Sequence, residues 1–304
     1  MIIGAGPAGL TAGLYASRAG WRAGCLERLA PGGQAALTAV VENYPGFEQP
    51  IGGFELCSRM EAQARKSGME LLREEAESLT LSGGGVSVKA ASGALDAGAV
   101  IVATGARPRE LGVPGEKELR GKGVSYCATC DGPLFKGQTV AVIGGGDSAL
   151  EESLFLARLC SRVYVVHRRH EFRAVKVVVE RALSEKKIVP VLGSTVTSII
   201  GTDSVEAVEV RDVASGAPDR LEVAGVFLYV GLLPNSEFLS GQVARDDSGY
   251  VITNEEMATS APGVFAAGDV RRKLLRQIST AVGDGAVAAV SAARYLHGLE
   301  KERK

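Results

Sequence analysis

Two stretches, MIIGAGPAGLTAGLYASRAG at the start of the chain and VAVIGGGDSALEESLFLARL from Val140, share one pattern. Each has an apolar opening, then glycines in G-x-G-x-x-G or G-x-G-x-x-A spacing, then a helical run rich in Ala and Leu. The first copy carries Gly4, Gly6 and Gly9; the second carries Gly144, Gly146 and Ala149, with Ser148 between the last two. Such glycines permit a tight turn and let the backbone approach a pyrophosphate, which then sits on the N–H groups and positive dipole end of the following helix. A single match could be a structural turn and nothing more. Here the likeness continues: AGCLE ends at Glu27 and VYVVH at His167, equally far from Gly4 and Gly144. Each copy then closes with a similar apolar strand, VIVATGARP (Val100 to Pro108) and VFLYVGLLP (Val226 to Pro234), with Gly105 and Gly231 each three residues before a proline. The repeat predicts an α/β chain with two Rossmann-like, three-layer dinucleotide-binding domains.

A chain of 304 residues that is 46% hydrophobic has material for two such cores. A third segment, GVFAAGDV (Gly263 to Val270) followed by RQISTAVGDGAVAAVSAARYL, has no fingerprint of its own and is expected to return to the first domain. The expected order is residues 1–108 for the first domain, 109–233 for an inserted second domain, and 234–304 for the first domain resumed. GARPRELGVPG and the segment from Gly231 to Asn235 cross between them; their Gly and Pro content reads as hinges. Lys plus Arg total 34 against 35 for Asp plus Glu, so no basic excess points to nucleic acid or an anionic membrane. The longest apolar run, Val223 to Leu233, is far short of the roughly 20 residues a spanning helix needs. Five cysteines in a chain this long are sparse and odd in number, unlike a secreted disulfide framework. A soluble protein in a reducing, cytoplasmic compartment is expected.

The residues at the ends of the two second strands differ in kind. Glu27 is a carboxylate, which accepts hydrogen bonds from ribose hydroxyls and repels a 2′-phosphate, so the first site suits FAD or NAD. At the second site HRRHEFRA places His167, Arg168, Arg169 and Arg173 together, and guanidinium groups fork onto phosphate oxygens, so NADP(H) is expected there. Between the copies lies SYCATCDG, with Cys127 and Cys130 two residues apart and Asp131 directly after. A zinc clamp would need two more ligands, but Cys25, Cys57 and Cys160 stand singly among apolar neighbours, as buried small hydrophobes would. A staple closing so short a loop would restrict the unfolded chain very little. A C-x-x-C pair can hold attacking thiolate near neutral pH, which suits exchange with another disulfide. Asp131 could equally be a helix-capping acid.

GAGPAG, GGQ (Gly32, Gly33, Gln34), VENYPG, ATG, CATCDG, GGGDSA, HRRHEFRA and GVFAAGDV, in this order and over essentially the whole chain, resemble the low-molecular-weight bacterial thioredoxin reductases. The resemblance implies FAD in the first domain, NADPH in the second, and a homodimer. It implies that Gln34, Asn43, Asp269 and Gln277 lie near the flavin, with Gly105, Gly268 and Arg276 among the cofactor-binding positions. It also implies that Cys130 faces the flavin, Cys127 attacks the disulfide of a thioredoxin or thioredoxin-like protein, and Asp131 handles the proton. Two features depart from the family pattern. Only Met1, Ile2 and Ile3 precede Gly4, so a clipped central strand is expected; and Pro133-Leu134 stands before Phe135 where two aromatics are usual. That change touches the expected docking surface near Lys122 and Leu134. A peroxide-reducing flavoprotein shares CDGPLFKG-like sequence, but usually carries extra thioredoxin-like domains for which this chain has no room. A redox sensor that binds both nucleotides without turnover is the remaining alternative.

Overall fold

The computed structural model describes residues 1–38, 40–82, 85–239 and 241–302, with side chains throughout except those of Ser82, Cys130 and Glu302. The chain forms two compact units, Met1–Arg107 with Leu233–Lys304, and Pro108–Leu232. It opens with β1 (Ile2–Ile3), α1 (Pro7–Arg18) and β2 (Gly24–Leu26), followed by the short α2 (Gly33–Ala36), α3 (Gly53–Lys66) and β3 (Glu70–Leu72). Pro7 begins α1, where its missing N–H costs nothing and its fixed φ suits the first turn. An antiparallel trio, β4 (Ala76–Ser82), β5 (Gly85–Ala90) and β6 (Gly93–Ala97), leads to β7 (Val100–Val102) and then β8 (Ala106–Pro108).

The inserted unit runs through β9 (Val124–Ser125), α4 (Ala128–Asp131), β10 (Thr139–Ile143), α5 (Asp147–Leu159), β11 (Arg162–His167), α6 (Lys176–Ser184) and β12 (Ile188–Leu192). A second antiparallel trio, β13 (Ser194–Gly201), β14 (Val205–Asp212) and β15 (Pro218–Glu222), precedes β16 (Gly225–Leu228). The chain leaves through β17 (Leu232–Pro234), which pairs with β8, and finishes with β18 (Val264–Ala266) and α7 (Ile278–Glu302).

The sequence repeat becomes a topological one. The first unit holds a five-stranded sheet in the order β18-β7-β1-β2-β3, and the second holds β12-β11-β10-β16-β9, every pair parallel. Reversing one list superposes β1 on β10, β2 on β11, β3 on β12 and β7 on β16. Strands of parallel sheets are covered on both faces, which is why β7 reads VIV and β10 reads TVAVI. Alternation then sorts the side chains of β10. Val140 and Val142 join Leu150, Leu156 and Val163 beneath the helices, while Ala141 and Ile143 join Val196, Val208 and Val210 beneath the trio. The first unit does the same: Ile2 packs with Leu10, Ile101 and Ala288, and Ile3 packs with Val88, Val100 and Val264. Each unit is therefore helices, sheet and antiparallel trio, the three layers the sequence predicts.

Two expectations need adjusting. β2 stops at Leu26, one residue short of Glu27, and the two closing segments do not run through as single strands. VIVATGARP breaks into β7 and β8, and VFLYVGLLP into β16 and β17. Gly105 at φ +65° and Gly231 at φ +121° make the breaks, a left-handed backbone that a side chain would strain. The crossing segments contain β8 and β17, which pair in a two-stranded ribbon.

Candidate functional sites of the two units

In the first unit Gly4, Gly6, Gly9, Glu27, Gly32, Gly33 and Gly268 gather around the N-terminus of α1. A Cβ at Gly9 would lie 1.8 Å from the Gly4 carbonyl oxygen, so only glycine lets the helix meet the β1 turn this closely. Around Gly6 there is open space, which leaves the end of the helix accessible. The amide of Gly32 donates to the carbonyl of Ala5, bringing the Gly32-Gly33-Gln34 turn beside the fingerprint. Glu27 accepts hydrogen bonds from the amides of Ala5 and Leu29, both at 2.9 Å, one on each carboxylate oxygen. The acid is thus fixed to the turn it was expected to serve, with further lone pairs on each oxygen for a ribose.

Asn43 and Gln277, 234 residues apart, meet through a 3.1 Å hydrogen bond. A Cβ at Gly268 would lie 2.9 Å from that of Ala8, so the Gly268-Asp269 turn also sits on the first turn of α1. Two buried polar atoms here lack protein partners: Oδ1 of Asp269 and Nε of Arg276, whose guanidinium lies over the Tyr250 ring at 4.1 Å. Burial pushes the Asp269 carboxyl up, with Lys273 and Arg276 opposing. An unpartnered buried acid beside an open helix N-terminus fits a polyhydroxylated dinucleotide such as FAD, whose hydroxyls would complete the hydrogen bonding. A charged cluster with no local signal in the sequence holds this turn. Asp284 accepts from the Gly268 amide, from Arg271 at 3.0 Å and from Lys273 at 2.7 Å, all largely out of water.

In the second unit His167 is buried, stacks on Phe172 at 6.0 Å, and has no partner for Nε2. A Cβ at Gly145 would fall 2.4 Å from its ring, so that turn must be glycine for the histidine to lie there. Burial lowers the His167 pKa, and Arg173, Arg169 and Arg168 lower it further. The three arginines are exposed, Ser148 is exposed on the first turn of α5, and space is open around Gly146. An unpartnered imidazole and three guanidinium groups beside an open helix N-terminus suit a phosphorylated ribose, as in NADPH.

The cysteine motif lies in this unit and runs from β9 into α4, with Cys127 on the short turn between them. Cys127 is half-buried and in a disulfide; Cys25, Cys57 and Cys160 are free and buried. Cys130 lies in α4, and its side chain is outside the described residues. Burial pushes the Cys25 thiol up to about 12 and Cys57 to about 11, which makes both poor nucleophiles. Asp131 stands just before a single 3-10 turn, Gly132–Phe135, but its side chain makes no capping hydrogen bond there. Its Oδ2 instead accepts from the Ser125 hydroxyl at 2.5 Å. That hydroxyl accepts from the Cys127 amide at 3.0 Å, while the Ala128 amide donates to the Tyr229 phenol oxygen at 2.9 Å. Sequence reasoning singled out neither Ser125 nor Tyr229, although a serine two residues before the motif was visible. Leu134 is 74% exposed and Lys122 is exposed. Among the described residues no cluster of His, Cys, Asp or Glu could hold a metal, and no helix is long and apolar enough to cross a membrane.

Two glycine fingerprints and a disulfide-bonded cysteine turn are features of a nucleotide-dependent disulfide oxidoreductase, and the pyridine nucleotide-disulphide oxidoreductase family matches residues 1–285. The thioredoxin reductase of Treponema pallidum is 44% identical over 300 residues, covering 99% of this chain and 97% of that protein. That of Bacillus subtilis is 45% identical over 305 residues, covering all of this chain and 96% of its own. The crystal structure of Lactococcus lactis thioredoxin reductase is similar with a TM-score of 0.95 at 42% identity, covering 98% of each chain. The chain belongs to the thioredoxin reductases, flavoprotein oxidoreductases that use FAD and NADPH.

Proposed function

We propose that this chain carries electrons from NADPH, by way of FAD and the Cys127–Cys130 pair, to the disulfide of a thioredoxin or thioredoxin-like protein. The observation that carries the reading is Cys127, held in a disulfide on the turn into α4 and in the same unit as the arginine-rich fingerprint. FAD is assigned to the unit built from Met1–Arg107 and Leu233–Lys304, and NADPH to Pro108–Leu232. When bound, FAD supplies a two-electron carrier between a nicotinamide and a disulfide.

The chain's own part is to seat, orient and exchange. The helix ends behind Gly6 and Gly146 receive pyrophosphates, and Glu27 against His167, Arg168 and Arg169 separates the two adenosines by charge. Asp269, Gln34, Asn43, Gln277 and Arg276 supply polar groups around the flavin. In the reduced pair the Cys127 thiolate attacks one sulfur of the partner's disulfide; a mixed disulfide forms and the other sulfur leaves as a thiolate, taking a proton delivered by way of Asp131. The Cys130 thiolate then attacks Cys127, closing the Cys127–Cys130 bond and releasing the partner's second thiol. The pair ends oxidised and the partner reduced by two electrons. A homodimer is the assembly proposed, and sedimentation velocity would measure it.

The test is NADPH oxidation with oxidised thioredoxin as acceptor. Cys127→Ser should leave flavin reduction by NADPH in place and drop thioredoxin turnover below about 1% of the parent, as removal of a nucleophile does. A parent enzyme inert towards thioredoxins, or a serine variant that still turns over, overturns the reading.

A further inference from the structure

The Ser125 hydroxyl touches two groups that the proposed reaction uses for different purposes. It is 5% exposed, on β9, where Ser125 pairs with Phe227 of β16 and so belongs to the sheet and not to a loop. A hydroxyl has one proton to give and lone pairs to accept with. Asp131 Oδ2 at 2.5 Å and the Cys127 carbonyl at 3.2 Å compete for that proton; the nearer, ionisable oxygen wins it. The Cys127 amide then donates to the same oxygen at 3.0 Å. Asp131 is also joined to Cys127 through the backbone, its amide donating to the Cys127 carbonyl at 3.1 Å. The acid is therefore tied at both ends to the residue that bears the attacking sulfur, and Tyr229 holds the next amide in the turn.

We infer that Ser125 is a positioning residue for the thiol–disulfide step: its hydroxyl locks the Asp131 carboxylate to the Cys127 backbone. The inference rests on the roles proposed above for Cys127 and Asp131. Without the hydroxyl the carboxylate turns freely, and a half-buried amide loses this acceptor, so geometry is lost in the step that moves a proton and kept in the steps that do not.

The experiment compares Ser125→Val with Ser125→Thr, two side chains of one shape that suit a strand equally and differ in the hydroxyl. Flavin reduction by NADPH is followed by stopped flow. Transfer is followed at steady state, from about pH 6 to 9, with thioredoxin and with a small aromatic disulfide, so that the comparison stands whichever protein is the partner. Ser125→Val should slow transfer about 10- to 100-fold and change the shape of its pH profile, with flavin reduction within about twofold of the parent. Ser125→Thr should recover transfer to within about threefold of the parent. Because Ser125 acts through Asp131, the double variant S125V/D131N should be no slower than D131N alone. Parent-like transfer and pH profile in S125V, a threonine variant as slow as valine, or losses that multiply in the double variant would each overturn the inference. If Cys127→Ser is inactive while S125V is unimpaired, only the role of Ser125 falls; if Cys127→Ser retains turnover, the functional reading itself falls.

Discussion

At the scale of single residues, the choice of coenzyme rests on a few charges. A guanidinium bonded to a 2′-phosphate contributes about 1.5 to 3 kcal/mol, or roughly tenfold or more in preference for each arginine. With Arg168 and Arg169 both exposed beside His167, NADPH should be preferred over NADH by at least about two orders of magnitude. Replacing both with Ala should weaken NADPH and leave NADH nearly untouched, measured as kcat/KM for each; equal losses would mean a structural role alone. His167 adds a sign. Its pKa is lowered by burial and by Arg173, Arg169 and Arg168, so it stays neutral to lower pH than an ordinary histidine, and a 2′-phosphate at the free Nε2 would draw a proton onto it. NADP binding near pH 6 should take up protons, seen as a calorimetric enthalpy that depends on the buffer. Glu152 titrates in the other direction: burial, then Glu151, raises its carboxyl to about 7. In the unfolded chain it ionises near the ordinary carboxylate range, so the folded state binds the extra proton in between. Its contribution to stability is retained at low pH and lost as pH rises towards 7. Glu152→Gln should therefore stabilise the protein on the order of 1–3 kcal/mol at pH 8 and hardly at all at pH 4, read from urea midpoints.

At the scale of elements, the two β-α-β openings were legible because their signals are local. A fingerprint, an alternating or continuous apolar strand and a helical run lie within one short window, and equal spacing to Glu27 and His167 marked them as copies. What failed to show depends on distance or on backbone sign. The breaks after β7 and β16 come from left-handed glycines that a continuous apolar run conceals, and the Asn43–Gln277 contact joins segments 234 residues apart. Asp284 was not singled out, since nothing near it in sequence announces that Gly268, Arg271 and Lys273 converge there. Ser125 was similarly hidden, because its role lies in two hydrogen bonds that close only once β9 joins the sheet. The copies allow an element-level prediction. A Cβ at Gly9 meets the Gly4 carbonyl at 1.8 Å, so Gly9→Ala must push α1 away from β1. Overpacking of this kind costs roughly 1–3 kcal/mol, and here it also opens the pyrophosphate seat. Flavin content should fall sharply while nucleotide binding by the inserted unit, with its own separate core, stays near the parent's.

At the scale of the whole molecule, chain connectivity sets a problem that no single site reveals. The cysteine turn and the arginine-rich fingerprint both belong to Pro108–Leu232, whereas the residues proposed to hold the flavin belong to the other unit. A nicotinamide and a disulfide must each come into close contact with one isoalloxazine ring, and a protein partner must afterwards reach Cys127. One fixed placement of the inserted unit is poorly suited to offering a buried ring contact and an exposed thiol together. A fixed geometry would demand that nicotinamide and disulfide approach opposite faces of the ring while the partner finds a third way in. Rotation demands only that the two crossing segments absorb a change in backbone angles, and each carries a left-handed glycine, Gly105 or Gly231, beside the paired strands β8 and β17. We therefore predict that the inserted unit turns about this ribbon in every catalytic cycle. An engineered cross-link that holds the cysteine pair against the flavin should abolish NADPH turnover, while dithionite reduction of the locked protein should still open the disulfide, counted by thiol titration after denaturation. Cleaving the cross-link should restore turnover. Full NADPH turnover in the locked protein would show that a single arrangement serves both half-reactions and that the crossing strands are only connections.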